Sequence, residues 1–126
     1  MENFWPEVSK ETLFSPVGVL REQAGYLAEK TNHAIVAEVR RIRSSDDFVY
    51  GFDLHVPVLK YRYRLFTIMY ELYIFPIKIT TDDNQWSCYD QIKYIMCIKD
   101  ILSSDKTKNI LITLLSHVEA EVREIA

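Results

Sequence analysis

The chain is poor in the residues that mark several classes of protein. Its 126 residues include only 3 glycines, 4 prolines and 2 cysteines. So little glycine and proline excludes collagen-like and low-complexity proteins, and so few cysteines exclude the disulfide framework of a small secreted domain. Positive charge is not in excess either, because 15 Lys and Arg face 18 Asp and Glu. A general nucleic-acid binder usually has the opposite balance, whereas a mildly acidic chain suits a basic protein partner.

Targeting signals are also missing. The first residues, 1–7, have neither the basic start nor the apolar stretch of a signal peptide. The most apolar run, 65–79, contains Glu71, Pro76 and Lys78 and is too short to cross a bilayer. No lipidation signal stands at either end. We therefore expect a cytoplasmic protein without a membrane anchor.

The remaining composition is that of an ordinary globular domain. Hydrophobic residues make up 48% of the chain and charged residues 26%, which is close to the average for soluble domains. The length is near the commonest domain size. No repeat or linker interrupts the chain, so we expect a single domain over residues 1–126, in which 1–14 form an irregular lead-in.

Hydrophobic spacing predicts the element order α-β-β-β-β-α-α. The first helix begins at Ser15, a good N-cap, and Pro16 occupies the first helical position, where its missing N–H costs nothing. Asn32 is suited to a left-handed stop at the end of that helix. Alternation of apolar and polar residues predicts strands over 34–43, 48–56, 59–69 and 73–80.

The C-terminal part predicts two more helices. The second runs from Ser87 to Leu102, after a loop over 80–84. A strand over 91–99 is the alternative, because isoleucine and tyrosine are abundant there. The third helix is capped by Ser104 or Asp105 and carries one clear apolar face. Short connections favour an antiparallel meander, so we expect an α+β fold in which a four-stranded antiparallel meander sheet has helices packed on one face.

No motif for catalysis or cofactor binding occurs. His33, His55 and His117 are far apart in the chain and have no metal-ligand spacing. The isolated glycines make no phosphate-binding loop, and no nucleophile signature is present. On one helix, Cys88 and Cys97 would lie on opposite faces and could not bond to each other. We therefore expect no catalytic residue, no metal ligand and no cofactor.

Two sets of charged residues are the candidate contact sites. A basic row on the first and third strands would meet an anion or a nucleic acid, and consists of Arg40, Arg41, Arg43, Lys60, Arg62 and Arg64. An acidic set would meet a basic protein, and consists of Asp82, Asp83, Glu119, Glu121 and Glu124. The ordinary alternative for the basic row is a solvated sheet face paired with Asp47 and Asp53. For the acidic set it is a solvated helix end.

The missing catalytic signatures favour a binding protein over an enzyme. The first hypothesis is a small cytoplasmic protein that binds one protein partner stoichiometrically, with a bacterial toxin-neutralising (immunity or antitoxin-like) protein as its concrete version. Its 8 tyrosines and 2 tryptophans suit that role, because such residues dominate interface hot spots. The alternatives are a nucleic-acid-associated regulator that uses the basic row, and an enzyme without a recognisable motif. A homo-oligomer through an exposed edge of the strand at 73–80 is compatible with each.

Overall fold

The computed structural model describes residues 1–44 and 46–125, and within them the side chains of Thr12, Glu124 and Ile125 lie outside the description. The strands are β1 (Val36–Ile42), β2 (Phe48–Val56), β3 (Tyr61–Tyr70), β4 (Ile77–Thr80) and β5 (Gln85–Cys88). The helices are α1 (Pro16–Lys30), α2 (Gln91–Leu102) and α3 (Asp105–Ile125), and short 3₁₀ turns cover Lys10–Thr12 and Pro57–Leu59. The α+β class is thereby confirmed.

Helix α1 begins and ends where its sequence predicts. The Ser15 hydroxyl accepts a hydrogen bond from the Gly18 N–H at 3.1 Å, which satisfies one of the free donors of the first turn. After the helix, Asn32 and His33 both have left-handed backbones, with φ of 51° and 66°. The predicted N-cap and the predicted stop at Asn32 are confirmed.

The sheet is an antiparallel meander, as predicted, but it has five strands in the order β1-β2-β3-β4-β5 rather than four. The extra strand, β5, occupies two residues that lie between the predicted loop and the predicted second helix, and the first two residues assigned to that helix. That helix begins later, because the Asp90 side chain caps it by accepting from the Lys93 N–H at 2.8 Å. The alternative of a strand over 91–99 is wrong, since these residues are helical.

β1 is shorter than its predicted range of 34–43, and the starts of β3 and β4 also differ from the expectation. β3 begins at Tyr61, because the turn over Pro57–Leu59 ends with Lys60 in the left-handed region at φ 52°. β4 is only four residues long, because Ile74, also left-handed at φ 72°, interrupts the extended chain before it. β4 pairs with β3 on one side and with β5 on the other. The predicted oligomer edge at 73–80 is therefore wrong.

A β-bulge at Leu65 sets which side chains face the helices. Phe52 is opposite Phe66 and Asp53 is opposite Arg64, so Leu65 is the extra residue. The alternation of β3 shifts at this point. Before the bulge Arg64 lies on the open face of the sheet, and after it Phe66 lies on the helix face with Leu65 also buried.

The core lies between the helix face of the sheet and the three helices. Phe52 and Phe66 stack at 5.0 Å between ring centroids. Tyr94 of α2 is fully buried, and its hydroxyl donates to the Pro16 carbonyl at 2.7 Å. This bond joins α2 to the first turn of α1, so the C-terminal helices are anchored to the start of the fold.

Candidate functional site

A groove opens between the sheet and the C-terminal helices. Its volume is about 500 Å³, and β3, the β4–β5 turn, β5, α2 and the start of α3 contribute its walls. We call it the groove. Its apolar lining consists of Leu65, Trp86, Met96, Cys97 and Ile101, and its polar and charged lining includes Tyr63, Asp83, Lys93, Asp100, Lys106 and Thr107. Cavities of this size with apolar walls and a few polar groups are typical binding sites.

The junction of α2 and α3 forms one end of the groove. The Ser104 hydroxyl accepts from the Thr107 N–H at 3.2 Å and so caps α3. The buried Thr107 hydroxyl donates to the Ile101 carbonyl at 2.7 Å. This bond satisfies a carbonyl of the last turn of α2 that has no partner within the helix. Because these bonds fix the turn between the helices, the groove is a preformed feature of the fold.

A second, smaller cavity adjoins the groove. It has a volume of about 280 Å³, lies between α1 and α3, and shares Leu65 and Thr107 with the groove as lining residues. Phe52 and Leu54 form its floor. The helix face of the sheet is therefore incompletely covered along a line from α1 to β5.

An ion-pair cluster closes the rim beside the β4–β5 turn. Lys106 contacts Asp82, and its Nζ lies 2.6 Å from the Asp83 carboxylate. These carboxylates raise the pKa of Lys106, and the ammonium lowers the pKa of Asp82. All three groups are exposed, so solvent screens the pairs. Two of the predicted acidic contact residues thus share one lysine, which offsets one of their two negative charges.

The opposite rim carries Lys93 and Asp100 of α2, both exposed. No ion pair involving either residue is found among the residues that the structure describes. They are seven positions apart, which is two helical turns, and so they share one flank of α2. Their charges are available to a molecule that covers the groove.

The outer surface of α2 extends the apolar lining beyond the groove. Tyr94, Ile98 and Ile101 of this helix are buried in the core. On the other side Ile92 is 71% exposed, Met96 is 57% exposed and Ile95 is 41% exposed. We call these three residues the α2 face. Since Met96 also lines the groove, the two surfaces are continuous.

The two thiols meet behind the groove. Cys88 lies in β5 rather than in the helix, so the prediction that both cysteines occupy opposite faces of one helix is wrong. The Cys88 and Cys97 side chains influence each other's pKa, and both are free thiols. Burial raises the pKa of Cys88, and it raises the pKa of Cys97 to about 12. That shift opposes formation of a thiolate, which is the nucleophilic form.

The predicted basic row is divided by the structure. The guanidinium of Arg41 lies 5.0 Å from the centroid of the Phe48 ring, on the helix side of β1. Arg62 pairs with Glu38, and Arg64 donates to Asp53 at 2.8 and 3.2 Å. The other three members, Arg40, Arg43 and Lys60, are exposed.

The ion pairs on the open sheet face involve residues of three strands. Glu38 also contacts His55, whose Nδ1 lies 3.2 Å from the carboxylate, and the Arg62 hydrogen bond lowers the pKa of Glu38. The expected pairing with Asp53 is present, but no ion pair with Asp47 occurs among the described residues. These strand arginines are thus partly neutralised where they lie.

The other sequence candidates lie apart from the groove. Glu119 pairs with Arg123 one turn further along α3, Glu121 is exposed, and the side chain of Glu124 lies outside the described residues. His117 donates from Nδ1 to the Thr113 carbonyl at 2.8 Å. Within the described part of the chain, no three His, Cys, Asp or Glu side chains cluster as metal ligands would.

Sequence reasoning missed the residues that form the groove. The available signal was the second helix, whose apolar residues surround the axis instead of following one stripe. Comparison with protein-family models, curated proteins and solved structures finds no match for this chain. In the described ranges, no helix combines the length and the apolar character needed to cross a membrane.

Proposed function

We propose that this protein acts by stoichiometric protein binding, and that the partner covers the groove and the α2 face together. The observation that carries the proposal is the exposure of Ile92 and Met96 on a helix whose other side is already buried. Apolar residues on the outer side of a helix whose inner side is buried are typical of an element that a further partner covers. An exposed apolar surface of this kind marks an interaction site.

A polypeptide fits this surface better than a small molecule does. A ligand of drug size would fill the groove and leave Ile92 in water. A protein partner covers both regions and places an anchor side chain against Trp86, which is 37% exposed. Aromatic walls and pockets of this kind are where interface energy concentrates. Lys93 and Asp100 then form a charged rim that fixes orientation.

Neutralisation of a toxin in a bacterial cytoplasm is the concrete version of this proposal, with occlusion as its mechanism. The net charge of −3 favours encounter with a basic toxin. Lys106 offsets one of the two negative charges of Asp82 and Asp83 and so reduces their part in that attraction. The binding energy comes instead from the apolar surface.

The test is affinity capture from the native lysate with the tagged protein and two matched variants. Met96→Glu puts a charge in the middle of the surface, and Leu72→Glu makes the same change at an exposed residue of the β3–β4 turn. One stoichiometric protein retained by wild type and Leu72→Glu, resistant to nuclease and lost with Met96→Glu, is expected. Equal capture by all three proteins refutes the proposed surface.

Binding of nucleic acid through the basic row has weaker support. Among the described residues, its cations outside ion pairs are Arg40, Arg41, Arg43 and Lys60, but Arg41 lies against Phe48 on the helix side, and Arg62 and Arg64 are engaged with carboxylates. Phosphate contacts make binding fall steeply with salt. Salt-dependent retention of a polynucleotide that is lost with Arg40→Ala and Arg43→Ala would favour this alternative over protein binding.

Catalysis gains no support from the groove. The thiol that lines it, Cys97, has its pKa raised to about 12 by burial, whereas a nucleophilic cysteine needs a lowered pKa. The acidic groups at the rim, Asp83 and Asp100, are exposed, and general acid–base catalysis by a carboxyl group normally relies on burial to shift its pKa.

A further inference from the structure

We infer that a second copy of this chain covers the α2 face, forming a symmetric dimer in which the two α2 helices pack antiparallel. The inference rests on the proposed protein-binding role of the same surface and names a second copy as its occupant, so that in the dimer this surface is closed to a toxin. Its basis is the order of apolar and charged residues along α2. In a two-fold interface the same surface of both copies meets, so its apolar residues must face apolar residues and its positive charges must face its negative charges. The residue order of α2 meets that requirement.

The apolar residues supply the seam of this interface. Ile92 and Met96 are four positions apart, which places them on one stripe of the helix. With the two-fold axis near Met96, the Met96 side chains of the two copies meet at the centre. Ile92 of each copy then lies beside the aliphatic stem of Lys99 in the other, a stem that can cover apolar surface while its ammonium stays in water.

The charged residues supply the orientation. Lys93 and Asp100 lie three positions before and four positions after Met96, on the flank that borders the groove. In an antiparallel helix pair, equivalent flanks face each other, so Lys93 of one copy is level with Asp100 of the other to within about one residue rise of 1.5 Å. Two symmetry-related ion pairs result. In a parallel two-fold pair the equivalent flanks would lie on opposite sides of the seam, so Lys93 and Asp100 could not pair with each other.

The dimer also accounts for the open side of the groove. Met96, Lys93 and Asp100 border both the groove and the proposed seam. A second α2 helix placed there covers the exposed edge of Trp86. The short helix limits the contact, so we expect a dissociation constant of about 1–100 μM, in the range of small interfaces.

The charge pattern allows a rescue experiment. Sedimentation equilibrium of the purified full chain measures dimerisation for wild type, Lys93→Glu, Asp100→Lys and the double variant. Each single change opposes like charges twice in the dimer and is expected to weaken association about tenfold. The double variant restores opposite charges and is expected to return to within about threefold of wild type, as for coupled neighbours. Lys108→Glu, at an exposed residue of α3, is the matched control and leaves association unchanged.

Each result is decisive for the second copy as occupant. Restoration in the double variant supports the antiparallel arrangement. A dimer that is unaffected by Met96→Glu, in a variant whose circular dichroism matches wild type, refutes it because another surface must then be used. A wild-type chain that remains monomeric at the highest attainable concentration also refutes it. In that case Met96-dependent capture of a different protein would still sustain the proposed function, so the two failures are distinguishable.

Discussion

Adding one methyl group at Gly51 should show how much the interactions on the open face of the sheet contribute to the free energy of unfolding. A Cβ built on Gly51 would lie 2.7 Å from Nε and 2.8 Å from Cζ of Arg64. Such contacts force the guanidinium to move. The guanidinium donates two hydrogen bonds to Asp53, whose side chain is only 7% exposed. Gly51→Ala therefore separates a buried carboxylate from its partner without altering either residue.

The magnitude follows from two opposing contributions. Loss of hydrogen bonds to a buried charged group costs about 1.5–3 kcal/mol, and since the Arg64 side chain is 47% exposed, we expect about 2 kcal/mol, near the lower end. Replacing glycine by alanine within a strand returns about 0.5–1 kcal/mol. Gly51 does not have a positive φ, so alanine meets no backbone penalty. The net loss is about 1 kcal/mol.

A double-mutant cycle tests this reasoning. Urea unfolding followed by tryptophan fluorescence gives the free energy of unfolding for wild type, Gly51→Ala, Arg64→Ala and the double variant. In the Arg64→Ala background the guanidinium is gone, so Gly51→Ala is expected to stabilise by about 0.5–1 kcal/mol. The effect of one substitution thus changes sign, with a coupling energy of about 2 kcal/mol. An equal loss in both backgrounds refutes the contact as the cause.

Three further changes have definite expected outcomes. Tyr94→Phe removes the hydroxyl that donates to the Pro16 carbonyl and should lower the free energy of unfolding by about 1–2 kcal/mol, measured by urea unfolding; an unchanged midpoint contradicts it. Arg62 lowers the pKa of Glu38, so the Glu38 carboxylate stabilises the fold above the ordinary pKa of 4.5, and this stability is lost as the pH falls. When the free energy of unfolding is measured against pH, Glu38→Gln should lose less stability in acid than wild type. An equal slope for the two proteins contradicts the assignment. With its pKa raised to about 12, Cys97 should react with a thiol reagent at neutral pH much more slowly in the native chain than in the unfolded chain; equal labelling rates would contradict the raised pKa.

The parts of the fold that were predictable are those whose signals are local. β2 matches its predicted range of 48–56 because five alternate residues are apolar along nine positions. α1 was predictable because Ser15 and Pro16 act on the first turn alone. Neither element needs information from a distant part of the chain.

β5 was not predicted, because a very short strand leaves little pattern in the sequence. β5 has four residues and only Cys88 is buried, so no periodicity can develop. Its presence follows from pairing with β4, in which Ile77 lies opposite Cys88 and Ile79 lies opposite Trp86. The groove was not predicted for a related reason, because Tyr63, Trp86 and Met96 come from three separate elements and no local pattern connects them.

The ion pairs of the open face depend on register, which the sequence leaves open. The bulge at Leu65 decides that Arg64 lies opposite Asp53, and a shift of one residue would send it to the other face. The sequence predicted that Asp53 would pair with the basic row, which is confirmed. It did not predict the pairing of Arg62 with Glu38, whose strands are separated by β2.

The meander has a consequence for how the chain reaches this structure. Each strand pairs only with its neighbours in sequence, so the sheet can assemble hairpin by hairpin with short loops to close, an order associated with rapid folding. The bond from Tyr94 to Pro16 spans 78 positions and can form only after all five strands have been synthesised. During synthesis α1 and the five strands emerge before α2. Until α2 docks, the part of the apolar sheet side that α1 leaves uncovered is the surface that a chaperone would meet.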